Sequence, residues 1–264
     1  MTPVPRIAFV LGKPVRPDSV FPAIFDALRA VGFAARTHLP HDAHDTMPDW
    51  IDDAALIVHR GLRPASLDAL GATGVPCVNP VAPVRLIEDR ALLIERLASA
   101  GLPVPQSQRV RSWAEAATRA EQRAVVVKRI DARLGRGAGI AFIPRGGCDA
   151  PAPFPGPYLV QDALETDGID RKLYVAGTST RGLLKHWRRR DTSSARPFDP
   201  DPDLADLAGA VGRTLGLDVF GVDIVAGQCG PTIVDVNAFP SFTGVAGAGS
   251  LIARHIACLA HARS

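Results

Sequence analysis

Gly221-Val222-Asp223-Ile224-Val225, followed after six residues by Thr232-Ile233-Val234-Asp235-Val236-Asn237, is the passage of this chain on which its reading turns. Each segment is a short, β-branched run carrying a single aspartate, and the turn between them, Gly227 to Pro231, holds glycine and proline, so the pair predicts a hairpin. Asp223, Asp235 and Asn237 converge on it as oxygen donors. Two carboxylates and an amide oxygen suit a hard cation such as magnesium carrying a nucleotide's phosphates. Buried without a counter-ion, such carboxylates would cost several kcal/mol, which a metal would offset. The alternative is a hairpin whose aspartates simply face water.

A second feature lies upstream. Only four of the 30 basic residues are lysines, at positions 13, 128, 172 and 185. Lys128 follows the strand-forming Ala124-Val125-Val126-Val127 and precedes a loop bearing Gly135, Gly137 and Gly139, which leads into a strand at Ile140 to Ile143. A lysine there can meet a phosphate as a point charge while the loop folds its amides over the anion; a lysine at an exposed strand end is the plainer alternative. The loop is no dinucleotide fingerprint, because that motif opens a helix, and no Walker A pattern is present.

Around these features the chain alternates strand-like and helix-like pieces. Ile7 to Leu11 and Ala54 to Val58 are apolar runs, each followed by a helical stretch, which suggests a small parallel sheet with helices packed on it. Pro80 to Pro83 marks a boundary, giving an N-terminal βα unit over residues 1–84 and a larger unit over 85–264. The second unit is expected to open with one helix from Leu86 to Ala100, capped by Gly101, and to continue with a helix at Trp113 to Gln122. The strand Tyr158 to Gln161 follows, then a hairpin from Arg171 to Leu184, a polar loop from Arg188 to Asp203, and a helix from Leu204 to Leu215 ended by Gly216. The hairpin of the two aspartates comes next, and a helix from Leu251 to His261 closes the chain.

Composition narrows the field. The chain has 264 residues, 47% hydrophobic and 22% charged, with a net charge of +3, which disfavours wholesale disorder and is too mild to predict nucleic-acid binding. No apolar run reaches the roughly 18 residues of a membrane span, and the first residues lack a charged stretch ahead of their short apolar run, so the expectation is a soluble, cytoplasmic protein without membrane attachment. The four cysteines form no CxxC pair, against both a zinc ribbon and a disulfide framework. His38, His41 and His44 could gather a metal on one helix face, but Pro40 and Pro48 favour a loop. GxSxG and HExxH are absent, so covalent hydrolase and zinc-peptidase chemistry has no support.

The ordered set says more than its members. Asp89-Arg90 opening a helix, GLPVP, VVVK with its glycine loop, LVQDAL, DRKLYVAG, GVDIV and DVNAFPSFTGV follow one another over about residues 75–250. This succession resembles the ATP-grasp superfamily. It implies an α/β architecture in which two α+β subdomains grip ATP after a small parallel βα domain, with a hinge near 160–165.

The resemblance also implies roles. Lys128 would contact the adenine and α-phosphate, Arg90 would replace the family's first phosphate-binding lysine, and Gly135 and Gly137 would close over the phosphates. Gln161, Asp162, Ala163 and Leu164 would form the adenine hinge, with Asp170 near the ribose. Lys172 would face the triphosphate at the reacting centre, and Asp223, Asp235 and Asn237 would hold magnesium, as two ions. Lys185, His186, Arg188 and Arg189 would face the acceptor, Arg188 close to the chemistry, and Ser241 would shape the pocket behind the metals. The implied activity is a carboxylate–amine ligase acting through an acyl phosphate on small-molecule or peptide substrates. The alternatives are a kinase phosphorylating a hydroxyl of a small anionic substrate, suggested by DVNAFP, and a nucleotide-binding module without catalysis.

Overall fold

The computed structural model describes residues 4–40, 46–132, 139–147, 150–186, 195–227 and 230–262. Its first sheet grows from the buried run Arg6–Leu11 (β1), which pairs in parallel with Ala34–His38 (β2) on one side and Leu56–Arg60 (β3) on the other; Cys77–Val78 (β4) extends it, in the order β2-β1-β3-β4. The helix Phe21–Ala30 (α1) buries Phe21, Ile24 and Leu28 against it, a spacing of three and four that puts one stripe on the core. The helix Pro64–Ala72 (α2) covers the opposite face through Leu67 and Leu70.

The expected helix over Leu86 to Ala100 is two helices, Val81–Glu88 (α3) and Arg90–Ser99 (α4). Asp89 breaks the run by taking an extended conformation, and its carboxylate accepts from the amides of Ala91 and Leu92 at 2.8 and 3.1 Å. An aspartate N-cap satisfies orphan amide donors and contributes about 1 kcal/mol. Trp113–Gln122 (α5) is capped by the Ser112 hydroxyl, which accepts from the Glu115 amide at 3.3 Å and donates to the Glu115 carboxylate at 2.9 Å.

A four-stranded antiparallel sheet follows, made of Ser107–Val110 (β5), Val125–Arg129 (β6), Ile140–Ile143 (β7) and Tyr158–Asp162 (β8), ordered β5-β8-β6-β7. Val125, Val127, Tyr158 and Val160 turn one face onto α5. A five-stranded antiparallel sheet contains Thr166–Ala176 (β9), Ser179–His186 (β10), Arg196–Phe198 (β11), Val219–Gly227 (β12) and Gly230–Ala238 (β13), ordered β11-β10-β9-β12-β13. β11 lies inside the stretch expected to be a polar loop. Leu173, Val175, Phe220, Val222, Ile224, Ile233 and Val236 cover one face of this sheet, and Pro202–Leu215 (α6) packs on it through Leu204, Ala208, Val211 and Leu215. The last helix, Ala248–His261 (α7), returns to the first sheet and packs beside α1.

One buried amide ties the first sheet to the third. Asn79, 1% exposed, donates to the Val219 carbonyl and accepts from the amides of Asp218 and Val219, each at 2.7 Å. Its own carbonyl lies 2.7 Å from Nε2 of the buried His59. Among the described residues no helix is long and apolar enough to cross a membrane.

Candidate active site

β9, β12 and β13 lay out the site as a row. In register, Lys172 stands opposite Asp223, and Asp223 opposite Asp235. Directly opposed residues share a face, as do residues two apart, so Asp170, Lys172, Tyr174, Asp223, Asp235 and Asn237 all lie on the face away from α6.

A bulge makes this possible. Even alternation through Thr232–Asn237 would send Asp235 to the same face as Ile233, which is fully buried in the core. Instead Asp223 pairs with Asp235 while Ile224 pairs with Ile233, leaving Val234 as an extra residue. Ile233 and Val236, three apart, then both reach the core at 0% and 2% exposure, and Asp235 and Asn237 turn the other way. The displaced Val234 carbonyl accepts from Nζ of Lys128 at 2.6 Å, so the bulge joins the two antiparallel sheets.

Cations and carboxylates are packed tightly here. Lys172 donates to Asp223, and its Nζ lies 3.7 Å from Asp170. Burial works against the Lys172 charge, but Asp223 and Asp170 outweigh it and hold its pKa above that of an ordinary lysine. Burial pushes the Asp223 carboxyl upward, against Lys172 and with the help of Asp170 and Asp235. Lys128, 7% exposed, is pushed down by burial and by Arg90, with Asp235, Asp223 and Asp170 opposing.

Arg90 opens α4 and is 6% exposed. It donates to the Arg129 carbonyl at 2.9 Å, while its buried Nε has no hydrogen-bond partner among the described residues and lies 4.0 Å from Asp235. An orphaned guanidinium N–H near the desolvated Lys128 leaves donor capacity that an anion would satisfy.

The remaining expected residues divide. Gln161 is 2% exposed, paired with Val126 and Ser107, and donates to the Ser107 hydroxyl at 3.1 Å. Leu164, 37% exposed, sits in the link from β8 to β9 beside Ala163. Asp162 turns toward α5, where Arg119 and Arg123 each donate to its carboxylate at 2.7 Å, and the amides of Asp162 and Ala163 donate to Gln106 and Ala124. Lys185 stands opposite Asp170 on the site face, whereas His186 opposes Ile169 and takes the other face. Ser241 is exposed and accepts from the Thr243 hydroxyl at 3.0 Å. Gly135, Gly137, Arg188 and Arg189 lie outside the described residues.

Tyr174 is a site-face residue that sequence reading passed over, although DRKLYVAG places it two residues from Lys172 on one side of a strand. Its ring packs on Phe242 at 5.3 Å, and Phe242 packs on Phe239 at 6.2 Å. Both phenylalanines are buried with positive φ, 42° for Phe239 and 55° for Phe242. A left-handed backbone at a bulky residue costs roughly 1–3 kcal/mol and persists where the surroundings over-determine it.

Among the described residues no group of three or more His, Cys, Asp or Glu side chains is arranged to hold a metal ion. The donors here are two carboxylates and an amide, and magnesium ordinarily takes one or two carboxylates and completes its shell with water and substrate phosphate.

These three sheets in this order are the ATP-grasp fold. A RimK-domain ATP-grasp protein from Sphaerobacter thermophilus superposes with a TM-score of 0.73 at 23% identity, over 96% of this chain and 98% of that one. The ATP-grasp ligase PsnB, in a complex with minimal precursor, Mg and ADP, gives 0.70 at 18% identity, over 96% and 97%. A probable alpha-L-glutamate ligase from Parasynechococcus marenigrum is 24% identical over 189 residues, 66% of this chain. The chain spans 41% of that relative's length. No protein-family model matches the chain.

Proposed function

We propose that this chain is a carboxylate–amine ligase using ATP and magnesium, the latter as a pair of ions. The observation that carries the reading is the convergence of Lys128, Arg90 and Lys172 on the Asp223–Asp235 row, with an unsatisfied guanidinium N–H among buried charges. Asp223, Asp235 and Asn237 would hold magnesium, Lys128 and Arg90 the phosphates nearest the adenine, and Lys172 the transferring end. Gln161 and the link Ala163–Leu164 would border the base, and Asp170 the ribose. When bound, ATP supplies the phosphoryl group that activates a substrate carboxylate as an acyl phosphate, from which an amine displaces phosphate.

The chain's own residues neutralise and align. Lys172 is held charged between Asp170 and Asp223, so it presents a fixed ammonium where negative charge develops, the preorganisation that favours transfer. Lys185, across the strand pair from Asp170, together with Arg188, Arg189 and the exposed Ser241, is proposed to meet an anionic substrate. That substrate is a small molecule or a peptide: the solved relative PsnB is complexed with a minimal precursor, and the sequence relative is described as a glutamate ligase. A hydroxyl kinase is the less supported reading, because two of the three named relatives, PsnB and the glutamate ligase, are described as ligases. The proposed units are residues 1–84 and 85–264, hinged near 160–165. Their support is the first sheet's self-contained strand order and the link at Ala163–Glu165 between the two antiparallel sheets.

Phosphorus NMR tests the reading. The protein is incubated with magnesium, ATP and pooled carboxylates, amines and polyols, with Asp235→Ala as the control. Inorganic phosphate released only when carboxylate and amine are both present is the expected result. Phosphate that ends on an organic hydroxyl, or turnover that survives Asp235→Ala, rejects it.

A further inference from the structure

Arg60 ends β3 at the carboxyl edge of the parallel sheet, where its carbonyl accepts from the Gly12 amide at 2.9 Å. Leu56 and Val58, on the same face of the strand, are fully buried beneath α1 and α7, so Arg60 continues an apolar row. Its guanidinium carbon lies 5.9 Å from the centre of the Phe21 ring, the outer limit of about 6 Å for a cation–π contact. Among the described residues it has neither a carboxylate partner nor a side-chain hydrogen bond, whereas Arg85, Arg119, Arg123 and Arg171 each hold an aspartate. Burial lowers its pKa, and among the described residues no neighbouring charge opposes the shift. A partly buried guanidinium without a counter-charge is unfavourable in the free protein unless a ligand supplies one.

The aromatic layer beside it leads to the reacting groups. Phe21 stacks on Phe239 at 5.7 Å with the rings 8° from parallel, and Phe239 lies two residues beyond Asn237. Phe239 touches Phe242, and Phe242 touches Tyr174, the neighbour of Lys172 on the site face. The phosphate-facing cations lie at the far end of this layer, and Arg60 lies at the near end. A guanidinium accepts a carboxylate through two parallel hydrogen bonds, a planar match that an ammonium lacks.

We propose that Arg60 recognises the substrate, its guanidinium pairing with a non-reacting carboxylate of the amino acid or peptide being joined; this rests on the ligase reading above. Recognition thus comes from the first sheet and chemistry from the third, with the Phe21–Phe239 stack setting the distance between them. Isothermal titration of the full chain with L-glutamate and with L-glutamyl-L-glutamate, each with and without Mg-ADP, reads the pairing. Wild type is expected to bind at least one probe, Arg60→Met to bind it at least about tenfold more weakly, and Arg60→Lys to fall between. Preference for the free amino acid or the dipeptide tells the two carboxylate sources apart. Mg-ADP affinity should be the same in all three proteins.

Thermal melting without ligand separates recognition from folding. Arg60→Met should melt cooperatively at or above the wild-type temperature, because an apolar side chain replaces an unpaired charge. Equal probe affinity in wild type and Arg60→Met, or no binding of either probe to wild type, overturns the proposal. Wild type that binds a probe through Arg60 but never binds Mg-ADP supports the carboxylate site and sinks the ligase reading instead.

Discussion

Among the described residues, the joint between two sheets and the cleft both bury polar groups, and they are finished differently. At the joint between the first and third sheets, Asn79 uses both ends of its amide on backbone partners and its carbonyl on His59, so each of these atoms has a partner. At the cleft, Arg90 keeps an orphaned Nε, Lys128 sits desolvated against a carbonyl, and Asp223 is pushed upward by burial. Satisfied buried networks specify a structure, whereas half-satisfied ones cost stability unless something else completes them. Removing a group from the joint should therefore cost folding, and removing one from the cleft should cost chemistry.

The largest effect should come from the cleft. Asp235→Ala is expected to lower the rate of ATP turnover by about 10³-fold or more, roughly 4 kcal/mol of transition-state stabilisation. Its melting temperature should stay near that of wild type, because the carboxylate's main neighbour is an already crowded set of charges. A variant that unfolds while the surviving fraction keeps its rate would collapse the distinction between the two regions.

Next is Asn79→Ala, which strands the amides of Asp218 and Val219 in a dry interface, while the Val219 carbonyl keeps the Phe239 amide at 2.9 Å. Leaving such groups unpaired costs about 1–3 kcal/mol each, partly relieved by relaxation, so a loss of about 3 kcal/mol in urea unfolding is expected. Mg-ADP affinity of the folded fraction should not move. A loss below about 1 kcal/mol would mean that the joint is not the fastening described.

His59 gives the same region a pH signature. Burial holds the imidazole below its ordinary value of 6.5, only partly opposed by the Asn79 carbonyl. Above about pH 6.5 the ring is neutral in both folded and unfolded chains and contributes no slope. As pH falls below 6.5, the unfolded chain takes up a proton that the folded one resists. Stability therefore drops, by at most about 1.4 kcal/mol per pH unit, until the folded pKa is passed. The difference between wild type and His59→Gln, measured by urea unfolding at pH 7.5, 6.5 and 5.5, should shrink steadily toward acid. A constant difference would place the titration elsewhere.

The chemistry-bearing row was more legible than the way it is aimed. Each aspartate announces itself in its apolar hairpin strand, and the spacing across Gly227 to Pro231 pairs the strands. Only Val234 to Asn237 alternates evenly, however, and the apolar doublet Ile233-Val234 does not say which of the two is squeezed out; the bulge is decided by Ile233 and Val236 both finding core on the same side. Asp89-Arg90 reads as a helix opening and does open α4, but the end of α3 just before it was not legible, since apolar residues run through both helices and only the capping of Ala91 and Leu92 reveals the break. β2, with the exposed sequence Ala34–His38, carries no apolar signal because it is an edge strand whose side chains face water. Long-range pairings such as Lys128 with Val234, and the return of α7 to the first sheet, depend on tertiary contacts that local pattern does not encode.

The smallest effect is the sharpest check on where the cleft ends. Asp162 belongs to the hinge in the sequence resemblance, yet its carboxylate is turned to α5 and held by Arg119 and Arg123, which outweigh burial and keep its pKa below the ordinary carboxylate value. Arg123 is 58% exposed, so its share of the pair is screened by solvent. Arg123→Ala is expected to cost about 0.5 kcal/mol at neutral pH, Arg119 remaining in place. That loss should disappear as acid protonates Asp162, because a depressed carboxylate stabilises only above the pH at which it takes up its proton. Mg-ADP affinity should be unchanged by Arg123→Ala and also by Asp162→Asn, since neither side chain faces the Lys128 side of the sheet. A tenfold loss of nucleotide affinity in Asp162→Asn would move the boundary of the cleft outward by one strand face and put Asp162 among the groups that hold ligand rather than those that hold the fold.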